Sequence, residues 1–313
     1  MARPDVPDLV VRARRGEHRA VSRLISLVEN GGAELPHVAA ALAPHTGRAH
    51  VVGLTGPPGV GKSTSTSVLV GALRAQGRRV GVLAVDPSSP FSGGALLGDR
   101  VRMGEHATDD GVFIRSMATR GRLGGLARAT PQALRVLDAA GCDVVLIETV
   151  GVGQSEVEVV ALADTTVVLL APGMGDGVQA AKAGILEVAD VFVVNKADRD
   201  GAAQTVRDLR HMLSLADPGS WIRPVVPTVA ARGEGVDDLV AALDDHRAYL
   251  DRSGERQRRR LARAESEIEA IALEQVRVRF GDVRGSAGLA TLAERVVAGD
   301  LDPYAAADEL AGA

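Results

Sequence analysis

Gly56-Pro57-Pro58-Gly59-Val60-Gly61-Lys62-Ser63, followed by Thr64, fits the spacing G-x-x-x-x-G-K-[ST] of a phosphate-binding P-loop. Its flanks supply the context the pattern needs. Val51-Val52-Gly53-Leu54 before it reads as a short buried strand, and Ser63 to Gln76 after it reads as a helix stopped by Gly77. In such a loop successive backbone N–H groups converge, and the helix N-terminus adds partial positive charge, so a polyphosphate is held by dipoles. Lys62 then reaches the β- and γ-phosphates, and the Ser63 hydroxyl sits on Mg²⁺. A nucleoside triphosphate is the expected ligand of residues 56–64.

The composition narrows the setting. The chain has 313 residues, 46% of them hydrophobic but only 2% aromatic, so the core must be built of Val, Leu and Ala. A net charge of −4 offers no bulk attraction to nucleic acid or to an acidic membrane. Cys142 is the single cysteine, which excludes an internal disulfide and a multi-cysteine metal cluster. Met1 to Arg15 lacks the apolar stretch of a secretory signal, and no run approaches the ~18 apolar residues of a membrane span. A soluble, cytoplasmic protein is expected. Only three of the 36 basic residues are lysines, namely Lys62, Lys182 and Lys196. Where arginine serves as the generic cation, each lysine marks a place that wants a compact ammonium.

Residues from Leu9 to Leu42 read as helical, with Val21, Leu24, Ile25 and Val28 in a 3-4 stripe that Asn30-Gly31-Gly32 stops. From residue 51 short apolar runs alternate with helical stretches. The runs are Val51–Thr55, Val80–Asp86, Val112–Met117, Val144–Glu148, Thr166–Ala171, Val191–Asn195 and Arg223–Val229. Continuous Val/Leu/Ile runs indicate strands covered on both faces, hence an α/β fold of P-loop NTPase type with a mostly parallel central sheet flanked by helices. Right-handed crossovers then gather the strands' carboxyl ends on one edge, where ligands bind. The division expected is an N-terminal helical extension at 1–46, a nucleotide-binding domain at 47–235 and a C-terminal helical arm at 236–313. In that arm Leu261, Ala264, Ile268, Ile271, Gln275 and Val278 form a narrow 3-4 seam that favours a homodimer.

The chemistry-bearing residues fall at strand ends. Asp86 closes the second run, and Asp99 lies on the Gly- and Ser-rich loop that follows, so both can approach Mg²⁺. Asp86 before Pro87 would also suit a turn, and Asp99 a helix N-cap, but beside a P-loop the metal role is favoured for both. Glu148 ends the fourth run at the Walker B position, and Glu148-Thr149-Val150-Gly151 has the shape of a D-x-x-G switch with Glu for Asp. The Gly151 N–H is then placed to bond the γ-phosphate, ordering its loop in the triphosphate state. Val152 occupies the position where a Ras-like protein carries its water-orienting Gln, so slow intrinsic hydrolysis is expected. Arg120-Gly121-Arg122 and Gly173–Lys182 are further glycine-rich segments that face nucleotide, partner or solvent. Asn195-Lys196-Ala197-Asp198 matches N-K-x-D. An Asp carboxylate there accepts from guanine N1–H and N2–H₂, which adenine lacks, while Lys196 covers the base or ribose. Val229-Ala230-Ala231 ends a later strand and offers a backbone N–H to guanine O6. The ligand is thereby narrowed to GTP and GDP.

With these motifs in view, the chain resembles the MeaB/ArgK family of P-loop GTPases, chaperones of adenosylcobalamin-dependent methylmalonyl-CoA mutase. The resemblance runs from Val21-Ser22-Arg23-Leu24-Ile25 to the C-terminal helices. It is carried by Gly56–Ser63, Asp86-Pro87-Ser88-Ser89, Gly98-Asp99-Arg100 and the stretch Glu148–Glu156 with its Val-Gly-Gln-Ser-Glu after Gly151. It implies a Mg²⁺ environment of Ser63, Asp86, Asp99 and Glu148, base contacts from Asn195, Lys196, Asp198 and the Ala230 loop, and a homodimer through the C-terminal arm. Its switch segments correspond to Asp86–Asp99, Gly151–Glu156 and Gly175–Lys182. The implied partner is a B12-dependent acyl-CoA mutase whose cofactor loading is gated by GTP. Two other readings compete. Nickel insertion wants a Cys/His cluster, and here Cys142 starts a buried strand and the seven histidines are dispersed. A kinase of a transport system fits poorly with N-K-x-D and switch-like glycine loops.

Overall fold

The computed structural model of the chain describes residues 5–31, 34–87, 104–106, 108–119, 129–149, 161–173, 188–215, 220–280 and 287–312. Within these, one sheet holds β1 His50–Thr55, β2 Val80–Pro87, β3 Val112–Thr119, β4 Val144–Thr149, β5 Thr165–Leu170, β6 Val191–Val194 and β7 Val225–Pro227. The strand order is β3-β2-β4-β1-β5-β6-β7, and every pairing is parallel. Each of the seven apolar runs is one of these strands. β1 lies between β4 and β5, so the connection out of β1 leaves to one side and the connection out of β4 crosses to the other. That reversal opens a crevice at the carboxyl end of β1, where the P-loop begins.

The helices are α1 Val6–Arg14, α2 His18–Asn30, α3 Leu35–Leu42, α4 Lys62–Ala75, α5 Ala129–Ala139, α6 Ala202–Leu215, α7 Val236–Ser253, α8 Glu255–Phe280, α9 Ala287–Ala298 and α10 Pro303–Gly312. Strand alternation sorts them between the faces. Val51, Leu83, Val85, Val145 and Ile147 point to one side, where Leu24, Ile25 and Val28 of α2 and Val136 and Leu137 of α5 meet them. Val52, Leu54, Val82, Leu146 and Val167 point to the other, against Leu69 and Leu73 of α4 and Leu239, Val240 and Leu243 of α7. Phe192 and Val194 pack with Leu209 of α6 beside the first cluster's face. Leu24 and Ile25 are completely buried. Each such side chain contributes about 1.5–3 kcal/mol on burial, so the N-terminal helices are part of the core and not an appendage.

The chain divides into two compact units, Met1–Arg256 and Gln257–Ala313. The division falls later than 235/236 because α7 lays Leu239, Val240 and Leu243 on the sheet, with α4 beside it. In the second unit α9 and α10 pack together, and Arg295 bonds Glu309 at 2.8 Å. On α8, the seam residues Leu261, Ile268 and Ile271 are exposed by 57%, 67% and 47%.

The amino edge of the sheet is closed by carboxylates. Asp164 accepts from the Val51 N–H at 3.1 Å, Asp190 from Thr166 at 2.8 Å, Asp143 from Arg79 at 2.7 Å and Asp138 from Ala49 at 2.9 Å. A buried polar chain runs behind them. His50 Nε2 lies 2.7 Å from Thr165 Oγ1, which lies 2.8 Å from His246 Nδ1, and His246 Nε2 is 3.3 Å from Asp190 Oδ1. With the His246 Nε2–H turned to the carboxylate, Nδ1 must accept from the Thr165 hydroxyl, whose oxygen accepts from the His50 Nε2–H. A neutral His50 fits this order of donors. Burial pushes its pKa down from 6.5 to about 4, against the opposing pull of Asp164. The unfolded chain takes up this proton first, so stability is complete above pH 6.5 and falls as the pH drops toward 4. The loss attributable to His50 should reach no more than about 3 kcal/mol. Urea unfolding between pH 8 and pH 4 should show it, and His50→Gln, which keeps a donor to Thr165, should remove that part of the slope. An unchanged slope in the variant would refute the assignment.

Candidate functional site

The site is built on the carboxyl edge, around the turn from β1 into α4. Gly56 has φ 142°, and a Cβ there would lie 2.2 Å from the Leu169 carbonyl oxygen, so only glycine lets the chain leave β1 hard against β5. Val60 is wholly buried and pins the middle of the loop to the core. Gly61 caps α4 at φ 96°, and a Cβ there would meet Asn195 Nδ2 at 2.5 Å. Lys62, the first residue of α4, is 8% exposed, and its Nζ donates to the carbonyls of Gly56 at 2.6 Å and Pro57 at 3.2 Å. The ammonium thus spans the loop. Ser63 is half-buried, while Thr64, Pro58 and Gly59 face solvent.

One helical turn into α4, the Thr66 hydroxyl reaches Glu148 Oε2 at 2.5 Å and the Lys62 carbonyl at 3.1 Å. Its single proton goes to the carboxylate, the shorter and charge-assisted contact. Glu148 itself is completely buried, paired in register with Leu54, the penultimate residue of β1. The Walker B carboxylate and the P-loop helix are therefore coupled by a direct hydrogen bond. Sequence reasoning does not single out Thr66; its only signal is that it stands four residues after Lys62 on the same helix.

The N-K-x-D segment folds onto the loop from β6. The Asn195 amide, 3% exposed, donates through Nδ2 to the Val60 carbonyl at 2.8 Å. Its Oδ1 accepts from the Ala230 N–H at 3.0 Å and from the Thr228 hydroxyl at 3.2 Å. One side chain ties the phosphate loop to the strap Val229-Ala230-Ala231. Lys196 takes the left-handed conformation, φ 59°, and its Nζ donates to the Gly59 carbonyl at 2.6 Å. Asp198 is exposed, with Oδ2 3.7 Å from the Arg232 guanidinium, a surface pair worth at most ~1 kcal/mol. Ala230 is buried and Ala231 exposed, on a turn closed by the Val229–Glu234 bridge.

The structure therefore brings together Gly56–Thr64, Glu148, Asn195, Lys196, Asp198 and Val229–Ala231. Asp86 ends β2 with its backbone in register with Ala118, on the same edge. Its side chain, together with Asp99, Gly151 and Lys182, lies outside the described residues, as do the glycine-rich segments at 88–99, 151–156 and 175–182. Cys142 is buried near the opposite edge, where desolvation pushes its thiol up to about 12. It is no thiolate ligand. Among the described residues no helix is long and apolar enough to cross a membrane.

Comparison with known proteins agrees with this geometry. The family model described as methylmalonyl-CoA mutase-associated GTPase MeaB matches residues 21–283. A protein of Pyrococcus abyssi is 48% identical over 309 residues, covering 97% of this chain and 95% of that one. GTPase ArgK of Escherichia coli is 38% identical over 253 residues, covering 78% and 76%. Among solved structures, one titled LAO/AO transport system kinase superposes with a TM-score of 0.74 at 26% identity, over 100% of this chain and 99% of that one. The P-loop, its Glu148 partner and the N-K-x-D clamp thus stand in a chain that belongs to the MeaB family of methylmalonyl-CoA mutase-associated GTPases.

Proposed function

We propose that this chain is a slow GTPase switch that gates adenosylcobalamin loading of a B12-dependent acyl-CoA mutase and protects or reactivates that mutase. The observation that carries the nucleotide part is the Asn195 amide, which joins the Val60 carbonyl to the Ala230 strap. It makes the phosphate loop and the base-reading segment one rigid piece, as selection of a whole guanine nucleotide requires. In this reading the 56–64 backbone and Lys62 hold the phosphates, Asp198 accepts from guanine N1–H and N2–H₂, and the main chain of Val229–Ala231 donates to O6. Ser63, Asp86, Asp99 and Glu148 supply hydroxyl and carboxylate oxygens, the hard donors that fit Mg²⁺, which would neutralise phosphate charge there. Thr66 orients Glu148 for that role. Gly151 bonds the γ-phosphate, and Val152 in the usual glutamine's place leaves hydrolysis slow without a partner.

The mutase part rests on family membership, and the homodimer is supported by the exposed apolar side chains of α8. A kinase reading has only a solved relative's title in its favour, and the Asn195 clamp serves a guanine site whether or not a phosphoryl acceptor exists. Nickel delivery would want a Cys/His cluster, and the single cysteine, Cys142, is buried near the opposite edge of the sheet.

Titration with GDP, GTP and ATP should show guanine nucleotides bound at least about 100-fold more tightly, since a buried polar contact left unpaired is costly. Equal ATP affinity would end the guanine assignment. Lys62→Ala should abolish nucleotide binding or hydrolysis, and an unchanged rate would overturn the P-loop reading. Asn195→Ala leaves the Val60 carbonyl and the Ala230 N–H unsatisfied, so it should weaken GTP binding and also lower stability by about 1–3 kcal/mol. GTP turnover measured with and without an adenosylcobalamin-dependent acyl-CoA mutase tests the partner. Stimulation is expected, reduced in Lys182→Ala while GTP affinity is kept. Absence of a complex in both GDP and GTP-analogue states would reject the chaperone role.

A further inference from the structure

A second polar cavity lies at the other end of the sheet. It encloses about 380 Å³ and is lined by Arg14, Arg48 and Arg247, with His45, Asp138 and Asp143 among its other walls. Residues 45–48 lead into β1 and residues 138–143 into β4, so the cavity sits at the amino edge. The six residues of β1 put about 20 Å between it and the P-loop. Arg14 closes α1, and Arg247 comes from α7. Three separate elements thus converge on one concavity with a guanidinium each.

The charges in this cavity are unequally committed. Asp138 accepts from the backbone N–H groups of Gly47, Arg48 and Ala49, and Asp143 from that of Arg79. The guanidiniums of Arg14, Arg48 and Arg247 have no hydrogen-bond or ion-pair partner among the described residues. Four other arginines of this unit do have carboxylate partners: Arg12 with Glu17, Arg74 with Asp109, Arg78 with Asp244 and Arg115 with Glu29. Asp138 is met by three main-chain N–H groups and Asp143 by one, while three arginines line the same space, so cationic groups outnumber carboxylates there. Guanidinium forks match multiply charged oxyanions, and a volume near 380 Å³ suits a small molecule and not a macromolecular surface.

We propose that this cavity is a binding site for a small, multiply charged anion of the diphosphate class, separate from the nucleotide site. Equilibrium dialysis with radiolabelled inorganic pyrophosphate, on the full chain saturated with GDP, reads it directly. About one pyrophosphate per chain should be held, more weakly as salt rises. That binding should persist in Lys62→Ala, which removes the P-loop cation. It should fall about tenfold or more in Arg14→Ala/Arg48→Ala and further with Arg247→Ala, because charge-assisted bonds are lost. Arg14 and Arg48 are exposed, so their substitution leaves the core intact, and unchanged GDP affinity in the variant confirms the fold. Citrate as competitor separates sources: displacement assigns the site to multivalent anions generally, retention to phosphates, and both uphold it. No pyrophosphate bound under GDP saturation, binding lost only in Lys62→Ala, or equal affinity after the arginine substitutions would overturn it.

Discussion

The arrangement of the nucleotide edge depends on one buried amide. Asn195 spends both halves of its side chain on main-chain groups from two other segments, the Val60 carbonyl and the Ala230 N–H. Val60 and Ala230 are both buried, so the amide replaces solvation that folding removes, and deleting it leaves two main-chain groups unmet rather than one. The same contact explains Gly61. A Cβ there would collide with Asn195 Nδ2, so the glycine that caps α4 and the asparagine that ends β6 are two parts of one fitted joint. Gly56 obeys a similar rule against Leu169 on β5. The loop's shape is set from its two flanking strands as much as from its own sequence.

That joint bears on how charge is handled. Lys62 already donates to the Gly56 and Pro57 carbonyls, and Lys196 to Gly59, so the two ammonium groups are held by neutral oxygens of the loop they serve. A phosphate oxygen is a stronger acceptor than a carbonyl, and exchanging one for the other needs only a small swing of a lysine stem. Glu148 is prepared in the opposite sense. The Thr66 hydroxyl fixes one of its oxygens, and because Thr66 rides on α4, the carboxylate and the P-loop helix move as a unit.

Much of this was legible in the chain itself. The seven Val/Leu/Ile runs are the seven strands because strands covered on both faces must be apolar at every position, a pattern that needs no knowledge of neighbours. The P-loop and N-K-x-D were legible because ligand chemistry fixes residue type and spacing together. Thr66, Thr228 and the His50–Thr165–His246–Asp190 chain were not. Their partners lie 82, 33, 115 and 81 positions away, and a threonine or histidine on an apolar element carries no local mark of a distant acceptor. The end of the first unit was misplaced for a related reason. The apolar stripe of α7 looks the same in sequence whether it meets the sheet or a partner chain, and only the fold shows Leu239, Val240 and Leu243 on the sheet.

The two edges of the sheet carry different chemistry. At the amino edge Asp138, Asp143, Asp164 and Asp190 each satisfy N–H groups where strands begin, and the histidine chain locks β1, β5 and α7 together. These bonds are internal to the chain, and all but the exposed one at Asp143 are buried, so nothing that binds at the carboxyl edge needs to break them. The carboxyl edge gathers glycines, a lysine pair and carboxylates that terminate strands. A ligand shifts a conformational equilibrium only through contacts that differ between its states. With the amino edge clamped, slippage of the strands is not open as a response to what binds at the carboxyl edge. The aspartate edge therefore holds the strand register on which the P-loop and the N-K-x-D segment are mounted.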